Sequence, residues 1–323
     1  MGIENLLKTL KCFFDDVSLN QFKGKRMGID GYCWLHQAIY CDDMDLSFNP
    51  ESDSFVYFIL NKLSVLIKCG ITPVMVFDGN RLPIKHKEEV YREKHRTEKR
   101  EKAYKLLEEG REEEARVKMT SSLDITPEMV HKIILQLRAR EIEYVVAPYE
   151  ADAQLAYLDS VGYIDVVCTE DSDLIAYGCR SVVYKLNTQT YMCQHITNES
   201  IFKSIGSEFD FFTANMFLQF CILSGCDFFK MFGISTKKAY KVIKENGSFV
   251  NGIPALEKLT KQHVSHETRV QFEKAYLTFK HQIVYCPVTE KQIHLTPLPQ
   301  SFTFFTFFGY ILLLILVKYM TVK

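Results

Sequence analysis

Four short apolar runs in this chain each lead directly into acid. Met27-Gly28-Ile29 ends at Asp30, and Val74-Met75-Val76-Phe77 ends at Asp78. Val145-Val146-Ala147-Pro148-Tyr149 leads to Glu150 and Asp152, and Val166-Val167-Cys168-Thr169-Glu170 leads to Asp171 and Asp173. Runs this short and this apolar predict buried strands, at Met27 to Ile29, Pro73 to Phe77, Tyr144 to Ala147, Asp165 to Cys168 and Val182 to Tyr184. Amphipathic stretches at Ser54 to Lys68, Glu128 to Arg138 and Tyr149 to Ser160 are long enough to cross back over a sheet. Strands alternating with helices predict an α/β fold, a largely parallel central sheet flanked by helices. The carboxyl ends of parallel strands share one edge, so these acids are expected together.

A single acid after a strand is ordinary helix capping, because Asp and Glu favour helix N-termini. Acid after four strands demands more. Two carboxylates about 4 Å apart at an effective dielectric near 20 repel by roughly 4 kcal/mol, so a cluster requires cations. Oxygen donors without neighbouring His or Cys suit Mg²⁺ or Mn²⁺ rather than Zn²⁺. Two such ions are suited to hydrolysing a phosphodiester. Ser224-Gly225-Cys226-Asp227 adds a further acid after a helical stretch, alone a plausible helix end.

With 39 Lys plus Arg against 40 Asp plus Glu, the net charge of -1 gives no global pull on nucleic acid, so any such attraction is local. The segment from Arg81 to Lys105 supplies it, with ten basic and five acidic residues. It reads as a solvated helix or arm, or as a helix laced by i to i+4 ion pairs. Within it Lys85, Arg92 and Arg96 are spaced to share a helical face and hold phosphate. Tyr32 and His36 sit one helical turn apart after Asp30, either packed in the core or open to stack on a base. From about Thr213 the pattern is mainly helical, closing with Glu267 to Gln282.

Ten cysteines without a Cys-x-x-Cys fit a reducing compartment. No secretory signal is read at the N-terminus, and Leu6 stands where a myristoylation motif wants Ser or Thr. Phe302 to Val317 runs sixteen residues without a charge, a membrane span at the short limit, a buried terminal element or an incorrect end to the translated sequence.

Six motifs in order resemble the flap endonuclease and exonuclease 1 family of structure-specific 5′ nucleases: MGIENLL, GIDGYCWLH, VFDG, APYEADAQLAYL, TEDSDLIAYGC and LSGCD. YCWLH and APYEADAQLAYL are most similar to the exonuclease 1 branch. The resemblance runs over residues 1–299 and implies a single nuclease domain: an N-terminal nuclease region at 1–80, a helical arch and basic arm at 81–128, an internal nuclease region at 129–210, and a helix-two-turn-helix with C-terminal helices at 211–299. Residues 300–323 form a hydrophobic tail in place of the continuation usual in the family, which binds repair partners.

By the same resemblance Asp30, Asp78, Glu150, Asp152, Asp171, Asp173 and Asp227 hold two Mg²⁺ ions, with Mn²⁺ able to substitute, and Lys85 and Arg92 are catalytic. Gly2, Tyr32 and His36 are implied near DNA, the aromatic pair at the frayed 5′ nucleotide, and Arg96 is a candidate DNA contact from its place on the basic arm. The duplex-holding turn departs from the family, reading Phe232-Gly233-Ile234-Ser235, one residue shorter before Gly233. Gly233, Ser235, Lys237 and Lys238 are its candidate DNA contacts, with K⁺ as a candidate ion, and Ser235 or Thr236 a candidate cap for the next helix. The implied activity is 5′ to 3′ exonuclease on double-stranded DNA with 5′ ends, nicks or flaps, in nuclear mismatch repair, end resection and recombination, with mismatch-repair proteins as family partners. The alternatives are a replication flap endonuclease and a DNA-end-binding or membrane-tethered scaffold without turnover.

Overall fold

The computed structural model describes residues 2–41, 53–203 and 208–298. The hydrophobic run at 302–317 lies outside them, and no helix among the described residues is long and apolar enough to cross a membrane. In chain order the elements are α1 (Leu6–Thr9), β1 (Asp15–Ser18), β2 (Arg26–Asp30), α2 (Gly31–Cys41), α3 (Ser54–Lys68), β3 (Thr72–Phe77), α4 (His86–Glu108), α5 (Glu112–Thr120), α6 (Pro127–Ala139), β4 (Glu143–Val146), α7 (Ala151–Ser160), β5 (Val166–Cys168) and α8 (Asp173–Ala176). They continue with β6 (Ser181–Asn187), β7 (Met192–Thr197), α9 (Asn198–Lys203), α10 (Ala214–Ser224), α11 (Thr236–Asn246), α12 (Ile253–Thr260), α13 (His266–His281), β8 (Ile283–Cys286) and β9 (Lys291–His294).

The described strands form a seven-stranded sheet ordered β1-β7-β6-β5-β2-β3-β4 and a separate β8-β9 hairpin. From β6 to β4 every pairing is parallel, while β7 and β1 add antiparallel edge strands. Residues alternate between two layers, as the two-residue period of a strand requires. Val74, Val76 and Val167 face the layer built on α7, α10 and α13, whereas Met75, Phe77, Val166 and Cys168 face the layer built on α2, α3 and α6. Burial on both faces explains why these strands read as continuous apolar runs.

The chain leaves β2 for β3 on one side and later returns to β5 on the other, so the strand order reverses at β5-β2. Loops diverge at such a point and leave a crevice beyond the carboxyl ends. Gly28 makes the crevice compact, since a Cβ there would lie 2.4 Å from Ile164 Cδ1 and 2.8 Å from Leu155 Cδ2. Without one, α7 lies close over β2 and its acidic N-terminus reaches the end of that strand.

Several expected boundaries shift by one to three residues, and one shift has a visible cause. The helix expected from Tyr149 begins at Ala151, because the Ala151 N–H donates to Asp78 Oδ1 at 2.6 Å and Glu150 takes the extended backbone of the preceding position. Among the described residues no disulfide occurs, in keeping with the cysteine spacing.

Candidate active site

Register places the acids along one edge. Asp30 pairs with Val76, Phe77 with Val146 and Ile29 with Cys168, so the residues after each strand emerge side by side. Asp30 is 7% exposed, with Oδ1 accepting from Cys33 N at 2.9 Å and Oδ2 from Thr169 Oγ1 at 3.0 Å. Asp171 Oδ1 accepts from Asp173 N at 2.9 Å. Glu150 and Asp152 open α7, and Asp227 follows α10. Glu170, between two of these residues in sequence, is turned elsewhere: its Oε1 accepts from Lys185 N at 2.8 Å and from Gln37 Nε2 at 3.5 Å.

The acids share one electrostatic environment. Burial pushes Asp30 up to about 6, partly offset by its hydrogen bonds. Asp78 is pushed up to about 7 by burial and by the charges of Asp30 and Glu150. Asp152 is raised well above the carboxylate range by burial and then by Asp171, Asp30 and Asp173. Burial and then Asp171 do the same to Asp173, while Asp171 itself rises through burial. These groups repel one another across a site that water cannot fully screen.

Two cations answer part of that charge. Lys85 contacts Glu150 and lies 3.3 Å from Asp227 Oδ2, while Arg92 Nη2 donates to the same oxygen at 2.9 Å. Burial would lower Lys85, but Glu150 and Asp227 outweigh it and raise it well above its ordinary value. Asp227 is correspondingly lowered: burial opposes ionisation, and Lys85 and Arg92 overcome it. Asp173 Oδ1 stays buried without a hydrogen-bond partner. A buried, unpaired carboxylate oxygen among mutually repelling acids, with oxygen donors only, fits hard divalent cations. Among the described residues no three His, Cys, Asp or Glu side chains close to the spacing of a preformed ligand shell.

The basic arm is a helical hairpin of α4 on α5, with Ala103 and Ala115 fully buried. Its i to i+4 pairing is present at Arg92–Glu88. Arg92 and Arg96, four apart on α4, share a face as expected, while Lys85 falls just before that helix and still reaches the same Asp227 oxygen as Arg92. Lys85 lies in the short turn Pro83–Lys85 before α4, because Pro83 opens that turn, and Arg96 pairs with Asp124 at 3.0 Å. Tyr32 and His36 are half-buried on α2. Burial raises Tyr32 to about 12, and burial lowers His36 against the pull of Asp124, with Arg96 and Arg92 adding to the lowering.

Gly2 is held against the acids, since a Cβ on it would lie 2.1 Å from Asp171 Oδ1 and 2.8 Å from Asp173 Oδ1, and its φ is +85°. The next residues tie this end to three places: Ile3 N donates to Ser172 Oγ before α8 at 2.8 Å, Glu4 N to Gly225 O after α10 at 3.0 Å, and Thr236 Oγ1 of α11 to Glu4 O at 2.8 Å. That last bond corrects the expected cap. Ser235 occupies the capping position of α11 without a side-chain cap bond, and the Thr236 hydroxyl is spent on Glu4. Gly233 adopts φ +78°, Lys238 Nζ donates to Gly233 O at 2.8 Å, and Lys237 is exposed on α11. Thr169, Ser172 and Gln282 were not singled out from sequence, because hydroxyls and amides carry no periodic signal and their partners lie far away in the chain.

Comparison with known proteins adds an independent line. A family model described as the XPG N-terminal domain matches residues 1–103, and one described as the XPG I-region matches residues 141–227. "Exonuclease 1" of Danio rerio is 35% identical over 308 residues, covering 93% of this chain, and the chain spans 38% of that protein's length. "DNA damage-inducible protein DIN7" of Saccharomyces cerevisiae is 32% identical over 306 residues, covering 94% of this chain and 71% of its own. The catalytic core of Rad2 in complex with DNA substrate has the same fold, with a TM-score of 0.62 at 23% identity, covering 86% of this chain and 81% of that one.

Proposed function

The chain belongs to the XPG nuclease family, in its exonuclease 1 branch, and from that premise we propose that it is a 5′ to 3′ exonuclease on double-stranded DNA that also cuts 5′ flaps. One observation carries the reading: Lys85 and Arg92 meet Asp227 beside Glu150, at the edge where the other acids gather.

The family is metal-dependent in general. Here Asp30, Asp78, Glu150, Asp152, Asp171, Asp173 and Asp227 would hold two Mg²⁺ ions, or Mn²⁺ in their place, which supply an activated water and neutralise charge on the phosphate and leaving oxygen. Lys85 and Arg92 act on the same phosphate. Each exchanges its contact with Asp227 for a phosphate oxygen, and each remains cationic because the acids around it hold its proton. Tyr32 and a neutral His36 offer the displaced 5′ nucleotide a half-buried face at the foot of the arch. Gly2 leaves room for the strand against Asp171.

Arg96, freed from Asp124, adds positive charge on the strand side. The duplex is gripped further out by the turn at Gly233, the N-terminus of α11 at Ser235, and Lys237 and Lys238, with K⁺ as a candidate ion at the turn. The setting is nuclear DNA repair.

The test offers the purified chain a 5′-recessed duplex and a 5′ flap at matched concentration and salt. The expected result is stepwise release of nucleotides from the recessed 5′ end in Mg²⁺, lost in a folded Asp173→Ala variant. Preference for the flap would shift the reading to a replication flap endonuclease. Binding to DNA ends without hydrolysis, in Mg²⁺ and in Mn²⁺, would overturn it.

A further inference from the structure

Glu150 and Lys85 are held from behind by the end of α13, and the contacts close into a ring. Gln282, 5% exposed and capping the C-terminus of α13, points its amide at Glu150, with Nε2 donating to Oε2 at 3.5 Å. The other end of that amide is occupied: Tyr177 OH donates to Gln282 Oε1 at 3.0 Å. The Tyr177 ring lies 4.8 Å from Phe279, one turn back on α13, and Phe279 meets Phe228 edge-on at 5.2 Å. Phe228 follows Asp227 directly and places its ring 4.9 Å from Lys85 Nζ. Lys85 contacts Glu150, which completes the circuit.

The backbone of this region is fixed separately. Gln154, one turn beyond Glu150 on α7, donates to Tyr285 O and accepts from Tyr285 N, both at 2.7 Å. These bonds tie α7 to β8 just beyond Gln282, which leaves the orientation of the Gln282 amide as the variable of interest. A flipped amide would turn a carbonyl oxygen toward the Glu150 carboxylate, which disfavours the flip, and in the orientation present the Tyr177 hydroxyl adds a hydrogen bond to Oε1.

We propose that Gln282 and Tyr177 are positioning residues of the nuclease site, the Tyr177 hydroxyl fixing the Gln282 amide so that its N–H holds the Glu150 carboxylate in place against Lys85. The proposal rests on the nuclease reading and deepens it. Neither residue touches the reacting atoms. Their effect passes through Glu150, so it falls on turnover and ion binding rather than on duplex binding, which is assigned to α11 and its turn.

The experiment is a double-mutant cycle with Tyr177→Phe, Gln282→Met and the pair, each compared with the wild-type chain. Three quantities are read: Mn²⁺ binding to the DNA-free protein by electron paramagnetic resonance, kcat and KM on the 5′-recessed duplex, and duplex Kd in chelator. Tyr177→Phe should weaken Mn²⁺ binding and lower kcat by roughly tenfold, with KM and duplex Kd within about twofold of wild type. The double variant should match Gln282→Met alone, because the hydroxyl acts only through the amide. If Gln282→Met does not fold, Tyr177→Phe, which removes one oxygen and keeps the ring packing, decides alone. Wild-type Mn²⁺ binding and kcat in Tyr177→Phe, or additive losses in the double variant, would overturn the proposal. A wild-type chain that binds Mn²⁺ but digests no DNA would instead defeat the nuclease reading.

Discussion

Neutralising one acid should stabilise the protein when no divalent ion is present. Asp78 is the informative position, because Asn at 78 keeps an oxygen to accept from Ala151 N, the bond that opens α7. Its carboxyl rises from 3.8 to about 7 in the folded chain, through burial first and then Asp30 and Glu150. A raised carboxyl means the folded state binds the proton more tightly than the unfolded one. Ionising Asp78 therefore costs stability above the unfolded value, and the cost grows until pH passes the folded value. At pH 8 a difference of about 3 units corresponds to about 4 kcal/mol, falling to about 2 kcal/mol at pH 5.5, where the folded carboxyl is already protonated.

Urea unfolding in chelator should accordingly show Asp78→Asn more stable than wild type by up to about 4 kcal/mol at pH 8 and by about half that at pH 5.5. Saturating Mg²⁺ should narrow or reverse the difference, because the wild type gains a ligand interaction that the variant lacks. A variant less stable than wild type in chelator at pH 8, or a gain that does not shrink toward pH 5.5, would refute the picture of a repelling, desolvated acid cluster.

Three further outcomes follow from the same geometry. Gly2→Ala introduces a Cβ 2.1 Å from Asp171 Oδ1 at a left-handed φ of +85°, so single-turnover digestion should slow by at least roughly tenfold while duplex Kd in chelator stays near wild type. Lys85→Ala should lower kcat by roughly 10²-fold with a smaller change in KM, measured on the recessed duplex; a change confined to KM would place Lys85 in binding alone. Gly28→Ala meets Ile164 and Leu155 at 2.4 and 2.8 Å, and urea unfolding should show a loss of about 1–3 kcal/mol from overpacking.

The central sheet was legible because a strand buried on both faces leaves a continuous apolar signature, and β2, β3 and β5 carry one. The acids were legible for the same reason: Asp30, Asp78 and Glu150 are the first charged groups after such runs, and Asp152, Asp171 and Asp173 follow within a few residues. The basic arm was legible as composition, but its division of labour was not. Lys85 and Arg92 meet at Asp227 while Arg96 turns to Asp124, a choice made by the turn at Pro83 and by where residues 124 and 227 lie. Glu170 and Asp171 look equivalent in a row of letters, yet the backbone of β6 takes one at Lys185 and leaves the other in the pocket.

Sequence by itself thus determined the layered α/β architecture and the acid at the strand ends, since each follows from local pattern. Only the tertiary structure decided which acids face one another, that Thr236 secures the N-terminal segment instead of capping its helix, and that Gln282 stands behind Glu150. The last two are contacts between residues more than a hundred positions apart, and no local periodicity encodes a partner at that distance.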